Sequence, residues 1–314
     1  MRKKRAMPKG TQVPPRTEPG EDALWGGSEP VIIVPLDGSI EAKAALPTAR
    51  LIARILGATV NVVHVTDEPL SQAELLARVK LERDETHGLI VDRLSGSPTQ
   101  AVLRFAEEKR ATSIVATTRG RTAYSGRTVG PVVEEIMHTA SCPVLLVRPE
   151  IHTRVAAMTE MRSILLPLDG APSSAAVIGP AMALAQRSGV EVDVLFVATR
   201  DKRSEEPGTL TVPRYIDQPQ HEWPAWAREF VTRFLSDVCP GAAPLPTPTR
   251  MFLRHGEPTT EILRFSVEHD SDLIVLEWRG RLDPAHGDVV KGVLGNAPSP
   301  VLLLRTVDKG SDHR

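Results

Sequence analysis

The sequence predicts an α/β protein made of two tandem domains, each with a parallel β-sheet covered by helices on both faces. The first observation behind this prediction is a repeat: Ile-Ile-Val-Pro-Leu-Asp-Gly at 32–38 returns as Ile-Leu-Leu-Pro-Leu-Asp-Gly at 164–170. The second is that short apolar runs alternate with amphipathic helical patterns in each copy. Similarity over the length of a domain indicates a tandem duplication rather than a solenoid. Apolar strands that alternate with helices indicate a parallel sheet.

The elements of the first copy follow from hydrophobic periodicity. Apolar runs predict strands at 31–36, 60–65, 89–94, 113–117 and 144–147. Helical patterns between them predict helices at about 41–56, 71–87, 98–110 and 131–139. The first helix is expected to end at Gly57 and to bury one face, formed by Ala45, Ala49, Ile52, Ala53 and Leu56.

Two further landmarks set the boundaries of the copies. Gly96-Ser-Pro98 matches Gly256-Glu-Pro258, 160 positions later, whereas the opening repeat is displaced by 132, so the second copy carries about 28 extra residues. Ala140-Ser-Cys-Pro143 matches Ala297-Pro-Ser-Pro300, 157 positions later, so the second glycine loop is three residues short. The predicted organisation is a tail at 1–27, a first domain at 28–150, a linker at 151–161, a second domain at 162–306 with a Pro-rich insertion at about 200–250, and a tail at 307–314.

Composition limits the classes of partner. At 314 residues the chain is long enough for two ordinary domains, and with 4% aromatic residues their cores must rest on Val, Ile, Leu and Ala. A net charge of -1 gives no reason to expect nucleic acid or a membrane surface as a partner. No apolar run approaches the ~20 residues that cross a bilayer. Two cysteines, Cys142 and Cys239, do not make a disulfide framework, which favours a reduced, cytoplasmic setting.

The first 27 residues are rich in proline, glycine and charge, and we predict that they form a disordered tail. The basic cluster at 2–5 is not followed by an apolar segment, so we expect no secretory signal. A solvated tail is the favoured interpretation of this cluster, with contact to RNA or lipid head groups as the alternative. Met7 leaves a later start codon open beside Met1.

A glycine-bearing loop follows the fourth predicted strand. Thr117-Thr118-Arg119-Gly120 is followed by nine residues and then by Gly130 at the start of a helix. A loop that leads into a helix N-terminus offers backbone N–H groups and a positive dipole end to an anion such as a phosphate. The second copy has a degraded counterpart that begins Glu277-Trp278-Arg279-Gly280.

These features together resemble the universal stress protein family. The matching features are Pro-Leu-Asp-Gly after strand one, Gly-x-Pro before helix three, the Arg-Gly loop, and the ending Ala-Ser-Cys-Pro-Val-Leu-Leu-Val, all within 30–148 and in part again within 162–305. The resemblance implies a Rossmann-like (HUP-type) sheet of five strands in the order 3-2-1-4-5. It also implies that two such domains pair through edge strands, here within one chain, and it leaves a further homodimer open.

The resemblance also implies a nucleotide site in the first copy. Part of the family binds ATP through a loop of the form Gly-x2-Gly-x9-Gly-Ser/Thr together with the Asp after strand one. Strands one and four would end side by side at the crevice of such a sheet. The residues carried over to this sequence, with their neighbours and the two departures from the motif, are Pro35, Asp37, Thr117, Arg119, Gly120, Gly130, Pro131 and Val132.

Three of these positions have a structural role as an alternative to binding, and two others depart from the family motif. Asp37 either contacts a ribose or base or serves only the turn and the cap of the next helix. Gly120 and Gly130 either allow a phosphate to approach or simply adopt left-handed turn conformations. Pro131 lacks the hydroxyl and the N–H of the family residue, a loss of roughly 1.5–3 kcal/mol or about 10- to 150-fold in affinity. Thr117 adds a branched side chain that crowds the ligand.

Neighbouring side chains offer partial compensation in the first copy. Thr118 and Ser125 are candidates for a replacement hydroxyl, and Arg121 and Arg127 are candidates, beside Arg119, for added positive charge. A solvated role is an equal alternative for each arginine.

We expect no ATP in the second copy. Glu277 replaces the first glycine of the loop and Asp288 replaces the Ser/Thr, and carboxylates repel a phosphate. Asp288 is also expected to cap its own helix. Asp169 remains as a turn former, and Lys291 is expected to face solvent.

The insertion brackets one helical pattern at about 222–238, with Trp226, Phe230 and Phe234 on one face. Packing as the second helix of the second copy is the favoured interpretation. A partner-binding element, supported by Trp223 and the proline-rich flanks, is the alternative.

The sequence contains no pattern that predicts catalysis or a metal site. Nine histidines lack paired ligand spacing, His64 is expected to be a packed or semi-exposed residue rather than a ligand, and Cys142 is expected to be buried and inert. The leading hypothesis is a non-catalytic stress-response module that binds an adenine nucleotide weakly, in the first domain only, as a conformational switch. The second is a nucleotide-independent interaction protein with an unknown protein partner. A slow ATPase ranks last, because no carboxylate cluster accompanies the loop.

Overall fold

The computed structural model describes residues 25, 29–120, 128–170, 174, 176–198, 249–280 and 286–306. The first copy contributes five strands: β1 (Val31–Pro35), β2 (Thr59–Val65), β3 (Leu89–Leu94), β4 (Ser113–Thr117) and β5 (Val144–Val147). The second contributes β6 (Ser163–Leu168), β7 (Glu191–Ala198), β8 (Thr249–His255), β9 (Leu273–Trp278) and β10 (Val301–Arg305). The predicted strands of the first copy agree with these bounds to within one residue.

The helices of the first copy and the linker are α1 (Ile40–Lys43), α2 (Ala45–Leu56), α3 (Gln72–Arg78), α4 (Pro98–Glu108), α5 (Pro131–Thr139) and α6 (His152–Ala156). Those described in the second copy are α7 (Ile178–Ser188), α8 (Pro258–Glu268) and α9 (His286–Asn296). The predicted apolar face of α2 is buried, and α2 ends at Gly57 with a left-handed φ of 65°.

Two helix predictions were wrong in extent. The helix expected at 41–56 is interrupted at Ala44, because Pro47 has no N–H to donate to the carbonyl one turn earlier. The helix expected at 71–87 ends at Arg78, and a separate short 3-10 turn follows at Asp84–Thr86. Lys80 adopts a left-handed φ of 56° between them, which no continuous helix allows.

One sheet of ten strands joins the two copies in the order β3-β2-β1-β4-β5-β10-β9-β6-β7-β8. Each half has the order 3-2-1-4-5 that the family resemblance implied, and every pair within a half is parallel. The halves meet at β5 and β10, which are antiparallel with Leu302 opposite Leu145. The predicted pairing of domains through edge strands is therefore confirmed within the chain.

Each face of the sheet carries a hydrophobic core that spans both domains. One core holds the inward residues of α2 and α7, and the other holds those of α4, α5, α8 and α9. Trp25 falls in the predicted disordered tail, yet it is 1% exposed and belongs to the first core. Its indole N–H donates to the Pro180 carbonyl of α7 at 2.8 Å. This residue therefore belongs to the folded body, because the second domain buries the indole and satisfies its donor.

None of the helices within the described ranges is long and apolar enough to cross a bilayer.

Candidate functional site

The crevice of the first domain forms where β1 and β4 end. The two strands are paired neighbours, with Ile33 opposite Ile114, so the residues that follow them emerge side by side. Asp37 and Gly120 meet there: a Cβ atom added to Gly120 would lie 2.5 Å from Oδ2 of Asp37. The absence of a side chain at position 120 is thus what allows the carboxylate to sit against the loop backbone.

Asp37 also organises its own turn. Its Oδ1 accepts hydrogen bonds from the backbone N–H of Ser39 at 2.8 Å and from the Ser39 hydroxyl at 2.5 Å. The Ser39 hydroxyl oxygen in turn accepts from the N–H of Ala42 and caps α1. The turn role considered for Asp37 is therefore present, and the second carboxylate oxygen is the one that faces Gly120.

The described ends of the glycine loop are held together by backbone bonds. The N–H of Gly130 donates to the Thr118 carbonyl at 2.8 Å, and the Thr117 hydroxyl donates to the Arg119 carbonyl at 2.8 Å. Neither glycine is left-handed, since Gly130 has a φ of −69° and Gly120 is absent from the positive-φ glycines. The left-handed alternative for these two glycines is therefore wrong. The buried Thr118 hydroxyl has no hydrogen-bond partner among the described residues.

Helix α5 begins at the crevice without a side-chain cap. Gly130 is its N-cap and Pro131 its first residue. Glu257, by contrast, caps α8 by accepting from two backbone N–H groups of the first turn. The helix end at Pro131 presents a positive dipole terminus to the crevice, beside the exposed Val132. The Gly130 N–H is already engaged by Thr118, which leaves fewer donors for an anion than the family motif supplies.

Arg119, the only loop arginine among the described residues, is paired with a carboxylate from the segment that follows β5. Its guanidinium forms an ion pair with Glu150, which lies in a short 3-10 turn (Pro149–Ile151) after β5. Glu150 also lies 3.5 Å from Nε of Arg148. The distance of 31 residues between Arg119 and Glu150 explains why sequence reasoning missed this pair.

Pro35 and His64 lie at the carboxyl ends of β1 and β2. Pro35 is the last residue of β1 and lies opposite Val63. His64 is buried, as predicted, and its Nδ1 donates to the Leu36 carbonyl at 2.7 Å. Phe196, 132 positions later, is the buried counterpart of His64 in the second domain. At this strand position the first domain therefore carries a buried polar side chain where the second carries an apolar one.

The second crevice contains an internal ion pair. Glu277 is only 3% exposed, and Arg279 contacts both of its carboxylate oxygens, at 3.1 and 3.2 Å. Arg279 also lies 3.9 Å from the Asp169 carboxylate, and the Thr306 hydroxyl donates to Glu277. The repulsion expected from Glu277 is thus reduced by the guanidinium of Arg279.

Two predictions for the helix of the second copy can be compared with α9. Asp288 was expected to be a cap, but α9 begins at His286, so Asp288 is the third residue of the helix. Lys291 is exposed, as expected.

Several candidates lie outside the described residues: Arg121, Ser125 and Arg127 of the first loop, Cys239, and the insertion with Trp223, Trp226, Phe230 and Phe234. Their predicted roles stay predictions. Within the described residues, no group of three or more His, Cys, Asp or Glu side chains could hold a metal ion.

A sequence profile described as the universal stress protein family matches residues 30–148 and 160–305, most of the chain. The chain belongs to the universal stress protein family. A universal stress protein of Methanocaldococcus jannaschii is 31% identical over 137 residues, which is 37% of this chain and 81% of the relative. One from Thermus aquaticus is 35% identical over 133 residues, 37% of this chain and 97% of the relative.

Solved structures show the same fold over nearly the whole universal stress protein. A protein of unknown function from Pseudomonas aeruginosa PAO1 superposes with a TM-score of 0.59 at 16% identity, covering 91% of this chain and 95% of that one. A putative universal stress protein from Pseudomonas aeruginosa UCBPP-PA14 gives a TM-score of 0.59 at 17% identity, covering 90% and 95%. At these identities the likeness concerns the fold alone.

Proposed function

We propose that this universal stress protein is a non-catalytic stress-response module that binds an adenine nucleotide, ATP, in the crevice of its first domain only. The observation that carries the proposal is the contact of Asp37 with Gly120 beside the uncapped start of α5. These are the positions that the ATP-binding part of the family uses, and they come together here on one sheet edge. Asp37 and His64 would line the sugar side, while Gly120 and the first turn of α5 would receive the phosphates.

The affinity is expected to be weak. Pro131 has no N–H, and the N–H of Gly130 is committed to the Thr118 carbonyl. Each lost hydrogen bond to a charged group costs roughly 1.5–3 kcal/mol. Binding weaker than that of a family member with the complete motif would follow.

The second domain would remain empty in this proposal. Arg279 is engaged there by Glu277 and lies near Asp169, so one cation faces two carboxylates and the cluster keeps a net negative charge. A phosphate would have to separate Arg279 from the buried Glu277, and breaking a buried pair is costly because it leaves an uncompensated charge.

The switch function rests on α5, which connects the crevice to the other domain. Its last turn contacts the second domain, where the indole N–H of Trp278 donates to the Met137 carbonyl at 2.6 Å and His138 donates to the Gly280 carbonyl at 2.8 Å. A ligand that shifts the start of this nine-residue helix would therefore alter its contacts with the Trp278 loop.

A nucleotide-independent interaction protein is the second candidate, and Pro131 is the observation that favours it. In that case the ten-stranded body would serve as a scaffold for an unknown protein partner, and neither crevice would bind ATP.

Calorimetric titration of ATP into the full chain tests the proposal. We expect about one ATP per chain, lost in Asp37→Ala and Gly130→Glu and retained in the matched second-domain control Asp169→Ala. Two ATP per chain would contradict the proposed empty second domain. No binding up to millimolar ATP by the folded protein would favour the interaction protein. Circular dichroism of each variant checks that loss of the Asp37 turn has not unfolded the domain.

A further inference from the structure

Glu150 lies between the guanidinium groups of Arg119 and Arg148, which belong to different parts of the molecule. On one side it pairs with Arg119, which belongs to the loop of the first crevice. On the other side it lies 3.5 Å from Arg148, whose Nη1 donates to the Ala297 carbonyl of the second domain at 3.1 Å. The carboxylate thus links the loop arginine to an arginine that bonds to the second domain.

We propose that Glu150 is a built-in counter-ion that sets the anion affinity of the first crevice by competing with phosphate for Arg119. This inference rests on the proposed nucleotide site, and it assigns the affinity of that site to a residue outside the family's loop motif. Glu150 is the last residue of the predicted first domain and lies in the turn that leads into the linker. The competition therefore also couples the crevice to Arg148, which donates to the Ala297 carbonyl of the second domain.

The chemistry of the competition follows from the guanidinium group. Its planar fork of N–H donors binds carboxylate and phosphate in the same geometry, so one guanidinium does not serve both fully at once. Arg119 and Glu150 are 32% and 48% exposed, which makes their ion pair weak and exchangeable rather than permanent. An incoming phosphate can therefore displace the carboxylate, at the expense of part of its own binding energy.

In the second domain the corresponding arginine is paired with a buried carboxylate. Arg279 corresponds to Arg119 in the repeat, but its carboxylate partner, Glu277, lies on the adjacent strand β9 and is 3% exposed. Both copies thus provide their loop arginine with an internal carboxylate. The exposed partner in the first copy is the one that a ligand can replace.

The test is a set of titrations with ATP and with inorganic tripolyphosphate, which carries the phosphates without the adenosine. The variants are Glu150→Gln, Arg119→Ala and the double variant. Glu108→Gln is the matched control, since Glu108 is an exposed carboxylate beside Arg104 at the opposite edge of the sheet. We expect Glu150→Gln to tighten binding of both probes by roughly two- to fivefold, the size of an exposed ion pair. The gain should vanish in the Arg119→Ala background and shrink at high salt.

The outcomes separate this inference from the proposed function. If the unaltered chain binds ATP and Glu150→Gln does not bind it more tightly, the counter-ion role is overturned and the nucleotide site stands. If Glu150→Gln binds ATP and the unaltered chain does not, the counter-ion role is supported, because Glu150 alone then prevents detectable binding. If neither chain binds either probe, the proposed nucleotide site fails, and the counter-ion role fails with it. If Glu108→Gln increases the affinity as much as Glu150→Gln does, the effect is one of net charge alone, and the inference is overturned.

Discussion

Arg148 and Arg305 make the same hydrogen bond in opposite directions across the junction of the two domains. Arg148 donates through Nη1 to the Ala297 carbonyl at 3.1 Å, and Arg305 donates through Nη1 to the Ala140 carbonyl at 3.1 Å. Both the donors and the acceptors are 157 positions apart in the chain. The acceptors follow the last turns of α5 and α9, where a cation is favoured by the helix dipole. The duplication has therefore retained a twofold relationship at the level of single bonds.

The first prediction concerns these two cross-domain hydrogen bonds, which are called the arginine clamps. Arg148→Met and Arg305→Met each remove one cross-domain hydrogen bond while keeping much of the apolar stem, and we expect each to lower the free energy of unfolding by about 1 kcal/mol. Urea unfolding followed by circular dichroism measures the change. Arg104→Met, at a 70% exposed side chain, is the control and should change little. Equal effects for all three variants would contradict a special role of the clamps.

The second prediction concerns Trp278, which is 1% exposed and bonded to α5 of the first domain. Trp278→Ala should lower the unfolding free energy by about 3–5 kcal/mol, because it empties a large buried volume. Trp278→Phe keeps most of that volume but leaves the Met137 carbonyl unpaired, at a cost of about 1–3 kcal/mol. Comparable unfolding midpoints for the two variants in urea would show that packing between the domains does not depend on the indole volume.

The third prediction tests the contact between Asp37 and Gly120 without any ligand. Gly120→Ala forces a Cβ atom to within 2.5 Å of the Asp37 carboxylate, so we expect a lower melting temperature. In the Asp37→Ala background the contact is gone, and the same substitution should be close to neutral. Calorimetric melting of the two single variants and the double variant measures this coupling. Additive effects would mean that the two residues do not touch in solution.

The fourth prediction concerns Trp25, the residue that ties the beginning of the chain to α7. Trp25→Ala should destabilise the protein by about 3 kcal/mol, whereas Trp25→Phe should lose only the bond to the Pro180 carbonyl, about 1 kcal/mol. Urea unfolding gives both values. If Trp25→Ala has the same free energy of unfolding as the unaltered protein, Trp25 does not stabilise the fold and belongs to the predicted disordered tail.

The fifth prediction concerns Cys142, which is partly exposed at the surface rather than fully buried as predicted. Burial of the thiol group itself nevertheless raises its pKa from 9.0 to about 11. The thiol therefore stays protonated at pH 8, and iodoacetamide should label it much more slowly in the folded protein than in urea. Mass spectrometry distinguishes it from Cys239. Because the unfolded thiol ionises first, its contribution to stability is complete below pH 9 and is lost as the pH rises from about 9 to about 11. Rapid labelling of the folded chain at pH 8 would contradict the burial.

The crevice shows how far local sequence reasoning reaches. The Asp-Gly turn and the Arg-Gly loop each follow a predicted strand, and the resemblance made those strands neighbours, so the meeting of Asp37 and Gly120 could be predicted. The partners of Arg119 and Arg279 could not. One pairs with Glu150, 31 residues away, and the other with Glu277, two residues earlier at the end of β9. Identical Arg-Gly sequences thus have different electrostatic surroundings.

The duplication, the strands and the strand-end loops can be read from the sequence alone, because they follow from self-similarity, apolar periodicity and turn chemistry along the chain. Other features follow from contacts between distant segments of the folded chain. Such contacts bury Trp25 against the second domain and bring Glu150 to Arg119. These outcomes depend on which distant surfaces come into contact when ten strands form one sheet, and no local pattern records that contact.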